Sequence, residues 1–201
     1  PLEAALDDSV GSELVLSVER GGKLLDIALT FGDLHAITPA HYVELGGAVL
    51  HDLSYQVARS YGLGLEDSGV YLVYRGSLFA NARIPSGAVI TELAGQPTPN
   101  SASFAEVLAS LPDGARVPVR WYAVGDPNQV RLNVLDIDRR WFSTRYCTRD
   151  DTNGSWPCES IDAPEGRVTP PAVSATLPPA PGRVARKVAP SLVTVDFNVP
   201  F

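Results

Sequence analysis

The chain has 201 residues, 45% of them hydrophobic and 19% charged, with 17 glycines and 17 prolines. This composition suits a packed core of short strands and turns plus a linker. A net charge of −7 argues against a nucleic-acid surface, which needs clustered Lys and Arg, and no apolar run approaches the roughly 20 residues that span a bilayer.

In chain order, Leu2, Leu6 and Val10 fall one turn apart and predict a short helix, ended by Gly11. The first residues, Pro1-Leu2-Glu3, carry no Met and no leader pattern, which points to a fragment or processed product. Alternation over Glu13–Arg20 puts Leu14, Leu16 and Val18 on one face; Gly21-Gly22 predicts a hairpin turn, and Leu25, Ile27 and Leu29 alternate in the return strand. Such a hairpin is marginal in water by itself.

After a connector over Asp33–Ala40, the run Tyr42–Leu50 begins as a β-prone segment, breaks at Gly46-Gly47 and resumes as an apolar one. Paired glycines admit backbone conformations closed to other residues. A turn of free N–H groups could cradle a peptide C-terminal carboxylate, with the following strand pairing to the same peptide; the alternative is an ordinary glycine turn in a β domain. Leu53–Leu63 reads as a helix that Ser54 can cap. Gly69–Tyr74 lacks clean alternation, which predicts a central strand covered on both faces. Ser77–Pro85 reads as a loop with room for one helical turn, Ala88–Leu93 as a strand, and Gly95-Gln96-Pro97 as its turn. Ser101 or Ser103 would cap the next helix, with Glu106 in capping-box position and Phe104, Val107, Leu108 and Leu111 as its apolar stripe. Two strands, Val117–Val124 and Val130–Ile137, flank Gly125-Asp126-Pro127-Asn128. Leu2–Leu29 and Phe104–Ile137 repeat one plan of helix, glycine stop, strand, turn, strand, as though a first copy of one domain lacked its N-terminal half.

Arg139–Cys158 reads as an appended hairpin whose Trp141, Phe142, Tyr146 and Trp156 pack against the domain or form a binding surface. Asn153-Gly154 marks a tight turn that could bring Cys147 and Cys158 together; free thiols are the expectation for an intracellular protein, a disulfide for an oxidising compartment. Prolines recurring over Ala163–Pro190 predict an extended, semi-rigid linker, followed by a lone strand at Ser191–Phe197. His35, His41 and His51 stand in no metal-ligand spacing, no serine lies in a nucleophile elbow, and no phosphate-loop pattern follows Gly69. No catalytic group, metal or cofactor is therefore expected.

This order of elements resembles the PDZ domain of the HtrA/Deg serine proteases. Glu44-Leu45-Gly46 looks like their carboxylate-binding loop, Gly69-Val70-Tyr71-Leu72-Val73 and Pro85-Ser86-Gly87-Ala88-Val89-Ile90 like two of their strands, Gly95-Gln96-Pro97 like their turn, and Phe104-Ala105-Glu106-Val107-Leu108 like their groove helix. Gly32–Pro39, Asp52–Arg59 and Ile137-Asp138-Arg139-Arg140-Trp141 are similar to the double-length fungal nuclear subgroup. The family usually places a bulky apolar residue where Gly47 stands.

The resemblance implies an α+β, PDZ-like, partly open antiparallel β-barrel or sandwich capped by two helices. It divides the chain into the C-terminal half of a first PDZ-like domain (1–34), a complete one (35–138), the aromatic hairpin (139–162), the linker (163–189) and the first strand of a protease-like domain (190–201). It further implies a non-catalytic regulatory segment of a serine endopeptidase, in the nucleus or cytoplasm. Expected partners are peptide or protein C-termini and the adjacent protease domains of the same chain, with homo-oligomers possible and neither nucleic acid nor membrane. The expected peptide site is Glu44, Leu45, Gly46, Gly47, Ala48, Val49 and Leu50 with Phe104, Val107 and Leu108. The alternative is a PDZ-like spacer that docks two protease domains without binding peptide.

Overall fold

Residues 2–64, 67–169 and 182–188 are described by the structure, a computed structural model. The chain begins with α1 (Leu2–Asp7) and a two-stranded sheet of β1 (Glu13–Arg20) and β2 (Lys23–Thr30). Gly21 and Gly22 turn it with φ of 62° and 75°. The register sets Leu14 opposite Leu29, Leu16 opposite Ile27 and Val18 opposite Leu25, so one face carries six aliphatic residues. That face is largely open: Leu25, Ile27 and Leu29 are each more than 40% exposed.

The rest is organised on one larger sheet. In chain order come β3 (His41–Leu45), β4 (Ala48–Asp52), α2 (Tyr55–Tyr61), β5 (Val70–Tyr74), α3 (Gly76–Asn81), β6 (Ala88–Leu93), β7 (Gln96–Pro97), α4 (Ser101–Ser110), β8 (Arg116–Ala123), β9 (Asp126–Asp136), β10 (Arg145–Thr148) and β11 (Cys158–Ser160). The strands lie in the order β11-β10-β3-β4-β5-β6-β8-β9, all antiparallel, with β7 paired to β6. The sheet is open, ending at β11 and β9 among the described residues.

Its main core joins Val43, Leu45, Leu50, Leu72, Ile90 and Trp121 to Phe79 of α3 and to Phe104 and Leu108 of α4. On the opposite side a smaller cluster of Val89, Tyr122 and Val124 is covered by Leu53, Val57, Leu63 and Tyr71, which places α2 there. This is the α+β, PDZ-like arrangement that the element order implies.

Local chemistry sets the helix ends. Ser54 caps α2, its Oγ accepting from the Val57 N–H (3.2 Å), and Gly62 closes the helix at φ 68°. The cap of α4 is Asn100 rather than either serine: its side chain accepts from the Ser103 N–H (2.8 Å), while the Ser101 N–H donates to Asp52 (2.5 Å). Asn is as good a cap as Ser, and starting one residue earlier lets Asp52 hold the first turn.

Other expectations are also revised. Ser77–Pro85 contains a helix, α3, because Leu78 and Phe79 are drawn into the core despite a first residue of glycine and no side-chain cap. β5 is central, yet only Val70–Leu72 is covered on both faces; Val73 and Tyr74 are exposed. Residues 145–160 are no separate appendage, since β10 pairs with β3 and extends the same sheet. Cys147 and Cys158 form a disulfide in place of free thiols, because they face each other directly across β10 and β11. Arg183–Val188 is a short helix, α5, within the stretch expected to be extended. The predicted strand at Ser191–Phe197 lies outside the described residues.

Candidate functional site

The paired glycines form a two-residue hairpin turn, φ 58° at Gly46 and 75° at Gly47, closed by the Leu45–Ala48 pair. Positive φ at both central residues is the geometry that matches strand twist, and glycine accepts it without strain. The turn is clamped from behind. Both the N–H and the Oγ of Ser77 donate to the Gly46 carbonyl, each at 3.0 Å. Gly76 lies so close that a Cβ there would collide with the backbone of Gly46, Gly47 and Ala48, and a Cβ on Gly46 would collide with Leu78.

This arrangement leaves no room for the expected peptide pose. β4 pairs with β3 on one side and β5 on the other, so Ala48, Val49 and Leu50 offer no free edge. α4 packs over β3, β4 and β6. Leu45, Ala48, Leu50, Phe104 and Leu108 are fully buried, packed in one core with Val43, and Val107 is half-buried at its margin. The chain's own strand β3 therefore lies where an added strand would lie. Of the ten expected residues, Leu45, Ala48, Leu50, Phe104 and Leu108 do come together, but in a filled core and not in an open groove.

Glu44, Gly47 and Val49 are only half-buried, and with Ala48 they border a separate feature. Glu44, Gly47, Ala48 and Val49 line a cleft of about 360 Å³ with Trp141, Phe142, Ser143 and Arg145. The Phe142 ring lies over Gly47, at ordinary contact distance from where a Cβ would stand. Arg145 donates to Glu44 through Nε (2.9 Å) and Nη2 (2.6 Å), and that hydrogen bond raises the guanidinium pKa. Trp141 is 77% exposed, with the Arg140 guanidinium 6.0 Å from its ring centre. Sequence reasoning left these residues out of the site, although the aromatic run 141–146 was the signal for them. The remaining aromatic of that run, Tyr146, stacks on His41 at 5.3 Å, and Trp156 further on tilts over Tyr42 at 5.2 Å.

A third arginine holds this face to the helix. Arg139 donates to the carbonyls of Leu108 (Nη2, 2.7 Å) and Leu111 (Nη1, 3.0 Å), capping the C-terminal end of α4. Its backbone N–H donates to Asp113 (2.9 Å). Burial pushes its pKa down from the ordinary value, while Asp113 and Asp162 work in the other direction.

Residues 36–114 match the family model described as a PDZ-like domain. Over a longer stretch the chain is similar to fungal proteins. It is 40% identical over 164 residues to the "Pro-apoptotic serine protease NMA111" of Ajellomyces capsulatus and 36% over 165 residues to that of Phaeosphaeria nodorum. It is also 36% identical over 164 residues to the "PDZ domain-containing protein C23G3.12c" of Schizosaccharomyces pombe. Each match covers 81% of this chain and 16% of the relative, so the chain spans about one sixth of the length of these proteins.

Proposed function

We propose that this chain is a non-catalytic, PDZ-like structural segment of an HtrA-type serine endopeptidase, one that docks against protease domains of the same chain and does not capture peptide in the β4–α4 groove. The observation that carries this reading is β3. A peptide added to β4 would compete with a strand already paired through Tyr42–His51, Val43–Leu50, Glu44–Val49 and Leu45–Ala48. That strand is also tethered on its far side by β10. The resident strand is covalently continuous with β4, so its effective concentration far exceeds that of a free peptide.

The test is a titration of the isotope-labelled chain with a library of free C-terminal peptides, followed by amide chemical shifts. The expected outcome is no saturable shift at Ala48–Leu50 or along Phe104–Leu108. A peptide that moves those amides and releases the β3–β4 pairing would overturn the reading. The docking half is tested separately: the parent's protease domain, supplied in trans, should protect amides of this chain from exchange.

A further inference from the structure

The larger sheet ends at β9, which pairs only with β8 among the described residues. The direction of its backbone groups follows from β8. Pro118 has no N–H, and its carbonyl accepts from the Ala94 N–H (2.8 Å), away from β9. Pro118 and Val134 therefore face each other without mutual hydrogen bonds, and Val134 turns both its N–H and its C=O to the open edge. Ile137 obeys the same alternation: its N–H donates to the Ala115 carbonyl (2.8 Å) and its C=O accepts from the Gly114 N–H (2.7 Å), both inward. Leu132 and Val130 share the outward phase of Val134.

The side chains of these residues are exposed as well, Val130 by 54%, Leu132 by 61% and Val134 by 49%. The residues between them turn to the other face. The Arg131 guanidinium lies 5.2 Å from the Trp121 ring centre, and Asn133 accepts from the Trp121 Nε1–H and donates to the Ala82 carbonyl. A long edge strand with an apolar stripe and a free row of backbone groups is a template for another strand. Asp126, Pro127 and Asp136 guard its ends, and its centre is unguarded.

The order of residues decides which strand fits. Val130-Arg131-Leu132-Asn133-Val134 reads almost the same in both directions. In an antiparallel pair centred on Leu132, each Val130 meets the second copy's Val134 and Leu132 meets its own equivalent. Arg131 meets Asn133, so no like charges oppose, and the outward backbone groups of both copies face each other in phase. A slip of two residues one way sets Arg131 against Arg131 and Asp126 against Asp136; the other way it sets Asp136 against Val130. We propose that β9 joins β9 of a second copy of this chain, antiparallel about a two-fold axis through Leu132, merging two sheets into one. The contact is far smaller than a standard stable interface, so dimerisation is weak, with a Kd on the order of 100 μM. This edge is separate from the β4–α4 groove, and the proposal does not depend on the reading of that groove.

The experiment is a concentration series of the full 201-residue chain by sedimentation velocity, with amide spectra of the labelled chain at each concentration. A monomer–dimer equilibrium is expected. The amides of Val130, Leu132 and Val134 should move along the dimerisation curve, and those of Arg131 and Asn133, turned inward to β8, should move much less. Leu132→Glu should weaken association at least tenfold with the melting temperature unchanged, because the side chain is exposed, and Leu132→Lys should do the same. An equimolar mixture of the two variants should associate again, since opposite charges then meet at the axis. A chain still monomeric at ten times the stated Kd, association that L132E leaves intact, or a mixture of the two variants that stays monomeric would each overturn the proposal. So would association lost in Ile27→Glu but kept in L132E, which would move the contact to the open face of the β1–β2 hairpin.

Discussion

A Cβ placed on Gly46 would run into the Leu78 side chain, whereas one on Gly47 would meet only the face of Phe142 at 3.7 Å. Two glycines in one turn therefore answer different demands, conformation at both and space at one. Gly46→Val should destabilise the chain by about 3–5 kcal/mol, combining a β-branched residue at φ 58° with an overfilled core. Gly47→Ala should cost only about 1 kcal/mol, the conformational part alone. Urea unfolding of the two variants checks this, and equal losses would contradict it. Leu108 sharpens the same point. A groove-lining leucine would accept glutamate with little change in fold, but Leu108 is fully buried, so Leu108→Glu should cost about 4 kcal/mol or more. A further prediction concerns Asp150, which accepts from the Thr152 N–H (2.9 Å), Thr152 Oγ1 (2.6 Å) and Asn153 Nδ2 (2.7 Å). These bonds, that of the Thr152 side chain foremost, hold its carboxyl below the ordinary value of 3.8. A depressed carboxylate stabilises the fold fully above its unfolded value and loses that contribution as pH falls through the folded one. The 150–154 turn should therefore keep its amide shifts at pH 5 and lose them only below 3.8; loss already at pH 5 would contradict the assignment.

At the scale of elements, the disulfide pins β11 to β10, and β10 in turn holds β3. Its loop is short, with 11 residues of separation, so reduction should remove about 2–3 kcal/mol of stability. Urea midpoints with and without dithiothreitol measure this, and an unchanged midpoint would show that the strand pairings suffice alone. Legibility in the sequence followed how local the cause of each element was. Alternation and glycine pairs announced β1 and β2, Ser54 and Gly62 announced α2, and Phe104 with Leu108 announced the buried stripe of α4. α3 was legible only as room for one helical turn, because its stability comes from where Leu78 and Phe79 end up and not from any cap or propensity. The pairing of β10 with β3 was illegible for the same reason. Nothing near Tyr42–Leu45 reveals that residues 145–148 will pair with it. The site residues were individually placed near one another, yet whether they enclose a groove or a core depends on which strand lies beside β4.

For the whole molecule, the larger sheet and the β1–β2 hairpin should differ in persistence. The hairpin has only two strands and an open aliphatic face, so its amides should exchange far faster than those of β6 and β8, which are paired on both sides. Comparable protection would mean that something covers Leu25, Ile27 and Leu29. Residues up to Val168 are tied to the domain, the Val168 N–H donating to the Asp113 carbonyl (2.8 Å). Arg183 and Lys187 are exposed on a six-residue helix. Trypsin should cut at 183–187 before it cuts at Arg75 or Arg120, and the reverse order would contradict this division of the chain.

The pairing of Glu44 with Arg145 spans 101 residues, and this has a consequence in time. A ribosome adding about 5–20 residues per second needs roughly 5–20 s to deliver the partner of β3 after β3 itself has emerged. Through that interval the hairpin of β3 and β4 has one edge complete and the other open, and an open edge is a template for any passing strand. The nascent chain is thus most exposed to mispairing not at its hydrophobic glycine turn, which is closed within moments, but along Tyr42–Leu45, until β10 leaves the exit tunnel.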